Sequence, residues 1–249
     1  PASPLGRRVT GELRSHGVRA AVAWDGSDAA RLGTYYFEHG GDPRGSDVIY
    51  DREGASVTTA TPSELPVGAI EGADLFYTSG ITPALSSTLA DTTAALLTAA
   101  RGAGVTTAFD LNYRSKLWSP EAARAAYTSL FPHVDTLVAA ERDVRTCLDR
   151  EGDAVEVANG LLNEYDFRTV VLTRGEHGSV AVRDGEVFEQ DAYPADTIDP
   201  VGSGDAFVGG YLAHRVYGGD VADALAHGAA AASLTRTVDG DVAVVTADE

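Results

Sequence analysis

The stretch Asp199 to Gly210, DPVGSGDAFVGG, sets three small residues, Gly202, Ser203 and Gly204, directly before a carboxylate, Asp205. The apolar run from Ala206 through Val208 reads as a helix leaving that turn. Small residues let backbone amides approach a ligand closely, and the unpaired amides of a helix start suit an anion such as phosphate. A second anion at that spot, Asp205, does not help to bind phosphate. It makes chemical sense as the base for a hydroxyl that attacks the phosphate. Donors for a migrating phosphoryl group beside a carboxylate for the nucleophile are the parts of a phosphotransferase, and the candidate catalytic set is Asp205 with Gly202, Ser203 and Gly204. The plainer alternative is that Asp205 only caps the helix, a position where Asp is favoured.

Two other phosphate sites are excluded. A dinucleotide fingerprint needs a third small residue where Phe207 stands, and Lys116 is the one lysine in the chain, so neither a Walker lysine nor a protein-kinase strand lysine is present. Phosphate charge must therefore meet arginine, amide or metal. Asp110, Asn112 and Arg114 alternate at the end of a predicted strand, so they project to one side if the extended backbone continues. A guanidinium such as Arg114 can hold a planar carboxylate through two parallel hydrogen bonds; the alternative is a surface ion pair. In VIYDR, Tyr50 and Arg52 share one strand face, as a second clamp or as polar guards of a sheet edge. In Leu172 to Val180, LTRGEHGSV, glycines at 175 and 178 give a turn that can run along phosphates or ribose, or one that merely enters a hairpin.

DPVGSGDAF resembles the C-terminal signature of the ribokinase-like (PfkB) sugar kinases, with Ser203 in place of the usual alanine. YTSGITPALS, Tyr77 to Ser86, and FDLNYRSKLWSPEAAR, Phe109 to Arg124, closely resemble the 2-keto-3-deoxygluconate kinases of that family. The resemblance implies a three-layer α/β/α ribokinase-like (Rossmann-like) fold with a mostly parallel sheet and a small β flap around residues 18–58. It also implies Asp205 as catalytic base and a sugar acid held by Arg114, Arg52, Tyr50, Tyr35 and Ile81. ATP is expected against Asn112, Arg114, Thr173, Arg174, Gly175, Gly178, Gly202 and Gly204, with Mg²⁺ as its companion. Where many relatives carry Asn-x-x-Glu, this chain has Ala140, Glu141, Arg142 and Asp143. Asp143 is then the expected metal contact, and Ala140 cannot replace the asparagine. The resemblance covers the chain from residue 1 but starts in the family's middle, so residues 1–249 are expected to be one N-terminally truncated kinase domain.

Composition narrows the setting. With 249 residues and 44% hydrophobic content the chain can bury one large core, and no apolar run is long enough to span a membrane. Cys147 is alone, which precludes an internal disulfide and fits a reducing cytoplasm. Nineteen basic residues against 37 acidic ones leave a formal charge of −18. Such a surface repels nucleic acid, and it stays hydrated in concentrated salt, where its self-repulsion is screened. A halophilic source is expected; an ordinary acidic protein from a high-GC genome is the alternative.

The elements alternate. Helices are predicted over 7–16, 86–101, from Pro120 onward, over 203–216 and over 221–235, and strands over 18–24, 35–37, 48–52, 73–79, 105–110, 134–139 and 168–173. Asp184-Gly185 joins two further strands, 179–183 and 186–190, as a hairpin. Strands separated by helices imply a mostly parallel sheet covered on both faces, with ligands beyond the strands' carboxyl ends. The expected activity is ATP-dependent phosphorylation of the terminal hydroxyl of 2-keto-3-deoxygluconate, or its galactonate epimer, to the 6-phosphate. A kinase for fructose or ribose, or a non-catalytic nucleotide or metabolite binder, stays open; flap strands such as 48–51 could join two copies.

Overall fold

The computed structural model describes residues 1–40, 43–242 and 245. Helix α1 (Pro4–Ser15) leads to a two-stranded antiparallel hairpin, β1 (Thr34–Glu38) and β2 (Asp47–Asp51). A six-stranded sheet follows: β3 (Leu75–Ser79), β4 (Thr106–Asp110), β5 (Thr136–Ala140), β6 (Thr169–Thr173), β7 (Ser179–Arg183) and β8 (Glu186–Gln190). These strands lie side by side in chain order, parallel from β3 to β6 and antiparallel at β7 and β8. Between them run α2 (Ile81–Ala84), α3 (Ser87–Gly102), α4 (Pro120–Leu130), α5 (Glu141–Leu148) and α6 (Ala154–Tyr165); α7 (Ser203–Val216) and α8 (Val221–Thr235) close the chain.

Strand order explains the layers. When each crossover has the same hand and steps to the next strand, all connecting helices fall on one face. Leu97, Tyr127, Val144 and Leu161 of α3 to α6 accordingly pack with Phe109, Leu137, Val170 and Val182. The opposite face, Ala108, Val138, Val171 and Ala181, is covered by Phe207, Tyr211, Ala224 and Leu225 of α7 and α8. Neighbours along each strand thus enter different cores, as the pleat requires, and each large buried side chain contributes roughly 1.5–3 kcal/mol by leaving water.

Local signals set the helix starts. Ser86 Oγ accepts from Leu89 N at 3.0 Å, Ser119 Oγ accepts from Ala122 N at 3.3 Å with Pro120 next in line, and Asp220 Oδ1 accepts from Asp223 N at 2.8 Å. One predicted strand fails. Residues 18–24 pair with no neighbour among the described residues, and Val18, Val22 and Trp24 stay exposed, because β-branched content forms no strand without a ladder partner. The flap is therefore narrower than 18–58, and Arg52 lies one residue beyond β2. Helices α5 and α6 have no counterpart among the predicted elements. No helix among the described residues is long and apolar enough to cross a membrane.

Candidate active site

Beyond the carboxyl ends of β4, β5 and β6 lie two clefts. One, about 470 Å³, is bounded by the flap residues Tyr35, Tyr50 and Arg52, by Ile81, and by Arg114 and Asp205. The other, about 690 Å³, lies between the turn after β6 and helices α7 and α8. Their walls share Ala140, Arg142, Thr173, Pro200, Ser203 and Gly204, so the first turn of α7 stands at the seam.

That turn is built on Gly202, whose φ of +78° is left-handed and whose added Cβ would come within 2.2 Å of Asp241 O. The first i to i−4 bond of α7 runs from Ala206 N to Gly202 O at 2.8 Å, so the amides of Gly204 and Asp205 precede the helical ladder. Asp205 makes no capping bond. Its Oδ1 instead accepts from Asn112 Nδ2 at 3.2 Å, which turns the carboxylate toward the residues after β4.

Those residues do not continue the strand. Asn112 has φ +40°, so a left-handed turn, and not the pleat, brings Asp110, Asn112 and Arg114 to one cleft. Asp110 is 8% exposed and its carboxyl is pushed up to about 7, first by burial, then by the charge of Asp205. Asp143, also buried, has its carboxyl raised by burial and accepts from Tyr113 N at 3.3 Å.

Three arginines, Arg52, Arg114 and Arg142, line the same cleft as these acids. Among the described residues neither Arg114 nor Arg52 has a carboxylate within ion-pair distance; Arg114 Nη1 donates to Tyr113 O at 3.2 Å, and the Arg52 guanidinium lies over the Tyr50 ring at 3.9 Å. Tyr35 Oη donates to Asp241 Oδ2 at 2.9 Å, whereas Tyr36 points away and is 63% exposed.

Of the residues expected against ATP, Thr173, Arg174, Gly175, Gly178 and Gly204 line the larger cleft. Asn112, Arg114 and Gly202, expected against the same ligand, line the flap-side cleft instead. Gly178 cannot carry a side chain: at φ +78° an added Cβ would lie 2.0 Å from Gln190 O. Arg174 is held by Glu189 at 3.2 Å, yet its Nε and the Oγ of Ser179 are buried on this cleft's wall without a hydrogen-bond partner among the described residues. Both residues line this cleft, where water or a ligand can complete their bonding. Asp143 is outside the one group of three carboxylate or imidazole ligand atoms that gathers within 4.8 Å among the described residues, which is His39, Asp199 and Asp239.

Three wall residues escape sequence reading. Ser179 lies inside the LTRGEHGSV turn, where a hydroxyl after a glycine was the available signal. Arg142 lies inside the segment read for metal. Asp241 meets Tyr35 across 206 residues, and nothing local marks it.

The profile of the pfkB family carbohydrate kinases matches residues 1–247. The chain belongs to the pfkB family. It is 60% identical over 249 residues to the 2-dehydro-3-deoxygalactonokinase of Haloferax volcanii, covering all of this chain and 78% of that one. It is 32% identical over 241 residues to the 2-dehydro-3-deoxygluconokinase of Thermoproteus tenax, covering 95% of this chain and 72% of the relative. The crystal structure of the 2-dehydro-3-deoxygluconokinase of Thermotoga maritima superposes with a TM-score of 0.90 at 30% identity, over 98% of this chain and 78% of the other. The expected ribokinase-like layering and a phosphotransferase acting on an alcohol are thereby established for this PfkB kinase.

Proposed function

We propose that this PfkB kinase transfers the γ-phosphoryl group of ATP to the terminal hydroxyl of a 2-keto-3-deoxy sugar acid, the gluconate or its galactonate epimer. The observation that carries this reading is the pair of guanidiniums, Arg52 and Arg114, without acid partners among the described residues, on the wall that also holds Asp205. In a chain with 37 acidic and 19 basic residues, two uncommitted cations in one cleft call for an anionic substrate. The names of the Haloferax volcanii and Thermoproteus tenax relatives support the same substrate class, and that Haloferax relative supports a working environment of concentrated salt.

Asp205 takes the proton of the attacking hydroxyl, and Asn112 holds the carboxylate in place through its amide. The amides of Gly204 and Asp205 meet the charge of the migrating group at the seam of the two clefts. The sugar oxygen forms the new bond to phosphorus as the bond to the β-phosphate oxygen breaks, leaving ADP. Arg174 Nε and Ser179 Oγ complete their hydrogen bonding on the nucleotide. On the wall that holds the exposed Asp205, the buried Asp143 and Asp110 offer carboxylates to a hydrated cation, which would be held through Asp143 because Ala140 offers no ligand atom. Bound Mg²⁺ would neutralise phosphate charge.

ADP release measured in multimolar KCl with 2-keto-3-deoxygluconate, its galactonate epimer, fructose and ribose tests the reading. Turnover is expected with the two sugar acids. Equal or faster turnover with a neutral sugar would discard the carboxylate clamp and keep only the kinase.

A further inference from the structure

Four arginines line the nucleotide cleft: Arg142, Arg145, Arg174 and Arg236. Three are committed to neighbours. Arg145 Nη2 donates to Glu141 at 2.6 Å, Arg174 Nη2 to Glu189 at 3.2 Å, and Arg236 Nη2 to Thr197 Oγ1 at 2.7 Å. Among the described residues Arg142 has only a loose contact, Nε to Asp143 Oδ1 at 3.5 Å, and its side chain is 83% exposed. It is also the one charged residue among the six that wall both clefts.

Phosphoryl transfer concentrates negative charge on the migrating group, between the two substrates. A cation there must reach both clefts and be free to leave its resting contact. We infer that Arg142 is a catalytic residue of this kinase, turning its guanidinium onto the phosphoryl group in transit and stabilising the transition state more than either bound substrate. The inference rests on the kinase reading above. Asp143 gives Arg142 a resting contact, while Ala140, at the end of β5, presents only a methyl group beside it.

The test compares wild type, Arg142→Ala and Arg142→Lys at constant ionic strength, with and without added guanidinium ion, and measures ADP affinity by calorimetry. For Arg142→Ala, kcat is expected to fall about 10²- to 10³-fold. Both KM values and the ADP affinity are expected to stay within about three-fold of wild type. Guanidinium should restore part of the lost turnover to the Ala variant and none to wild type, and Lys should restore some of it. An Ala variant with wild-type kcat overturns the inference, and so does a loss that guanidinium does not rescue and that comes with weakened ADP binding. Wild type without turnover on any sugar acid would instead bring down the sugar-acid reading above, before any variant is compared.

Discussion

The two clefts meet at one turn but are built in opposite ways. The side proposed for the nucleotide is built on the main sheet, with a turn tied between β6 and β7, the packed helices α7 and α8, and arginines mostly bound to acids. The flap side takes Tyr35 and Tyr50 from a two-stranded hairpin outside the main sheet and Arg52 from just beyond it, and among the described residues Arg52 and Arg114 have no acid partner within ion-pair distance. An isolated hairpin is marginal in water, so this wall depends on contacts such as Tyr35 with Asp241 and Lys116 Nζ with Asp47 Oδ1 at 2.7 Å. On the proposed reading, substrate choice resides in the wall that includes the hairpin, and phosphate chemistry at the turn and helices packed on the main sheet.

Breaking the shared seam should cost most. Asp205→Asn is expected to lower kcat by about 10² to 10⁴-fold with smaller changes in either KM, as steady-state kinetics would show. Undiminished turnover would remove Asp205 as the base. On the flap side, Arg114→Ala should reduce kcat/KM for the sugar acid by about 10- to 100-fold, the range for losing a charged hydrogen bond, and leave ADP affinity unchanged. A variant that weakened ADP binding instead would return Arg114 to the nucleotide side. On the side proposed for the nucleotide, Gly178→Ala forces a Cβ into Gln190 O and should cost about 1–3 kcal/mol of stability, read as a lower melting temperature, together with a raised KM for ATP.

The smallest effect concerns the buried acid beneath the seam. The folded chain holds the Asp110 proton up to about pH 7, whereas the ordinary value is 3.8. Its contribution to stability is full below pH 3.8 and is lost as pH rises to about 7. Asp110→Asn should thus gain in melting temperature relative to wild type across that window and hold a constant lead above it, measured without magnesium. A difference that does not change with pH would mean that the carboxyl titrates normally.

Ser119-Pro120-Glu121 starts α4, Asp184-Gly185 turns β7 into β8, and the bounds of α7 and α8 agree with Ser203 to Val216 and Val221 to Thr235, because caps, turns and apolar periodicity act within a few residues. The glycine turn before Asp205 was legible for the same reason. Residues 18–24 have strand composition and no partner, and only the assembled sheet decides whether a ladder exists. Likewise, the left-handed Asn112 bends Arg114 into the cleft, Asp241 reaches Tyr35, and the Asp110 carboxyl is raised by neighbours that are distant in the chain. Chemistry-bearing residue types and local conformation are written in the order of the residues. Burial, charge environment and the meeting of Arg52, Arg114 and Asp205 on one wall come from long-range packing, which no short window of the sequence contains.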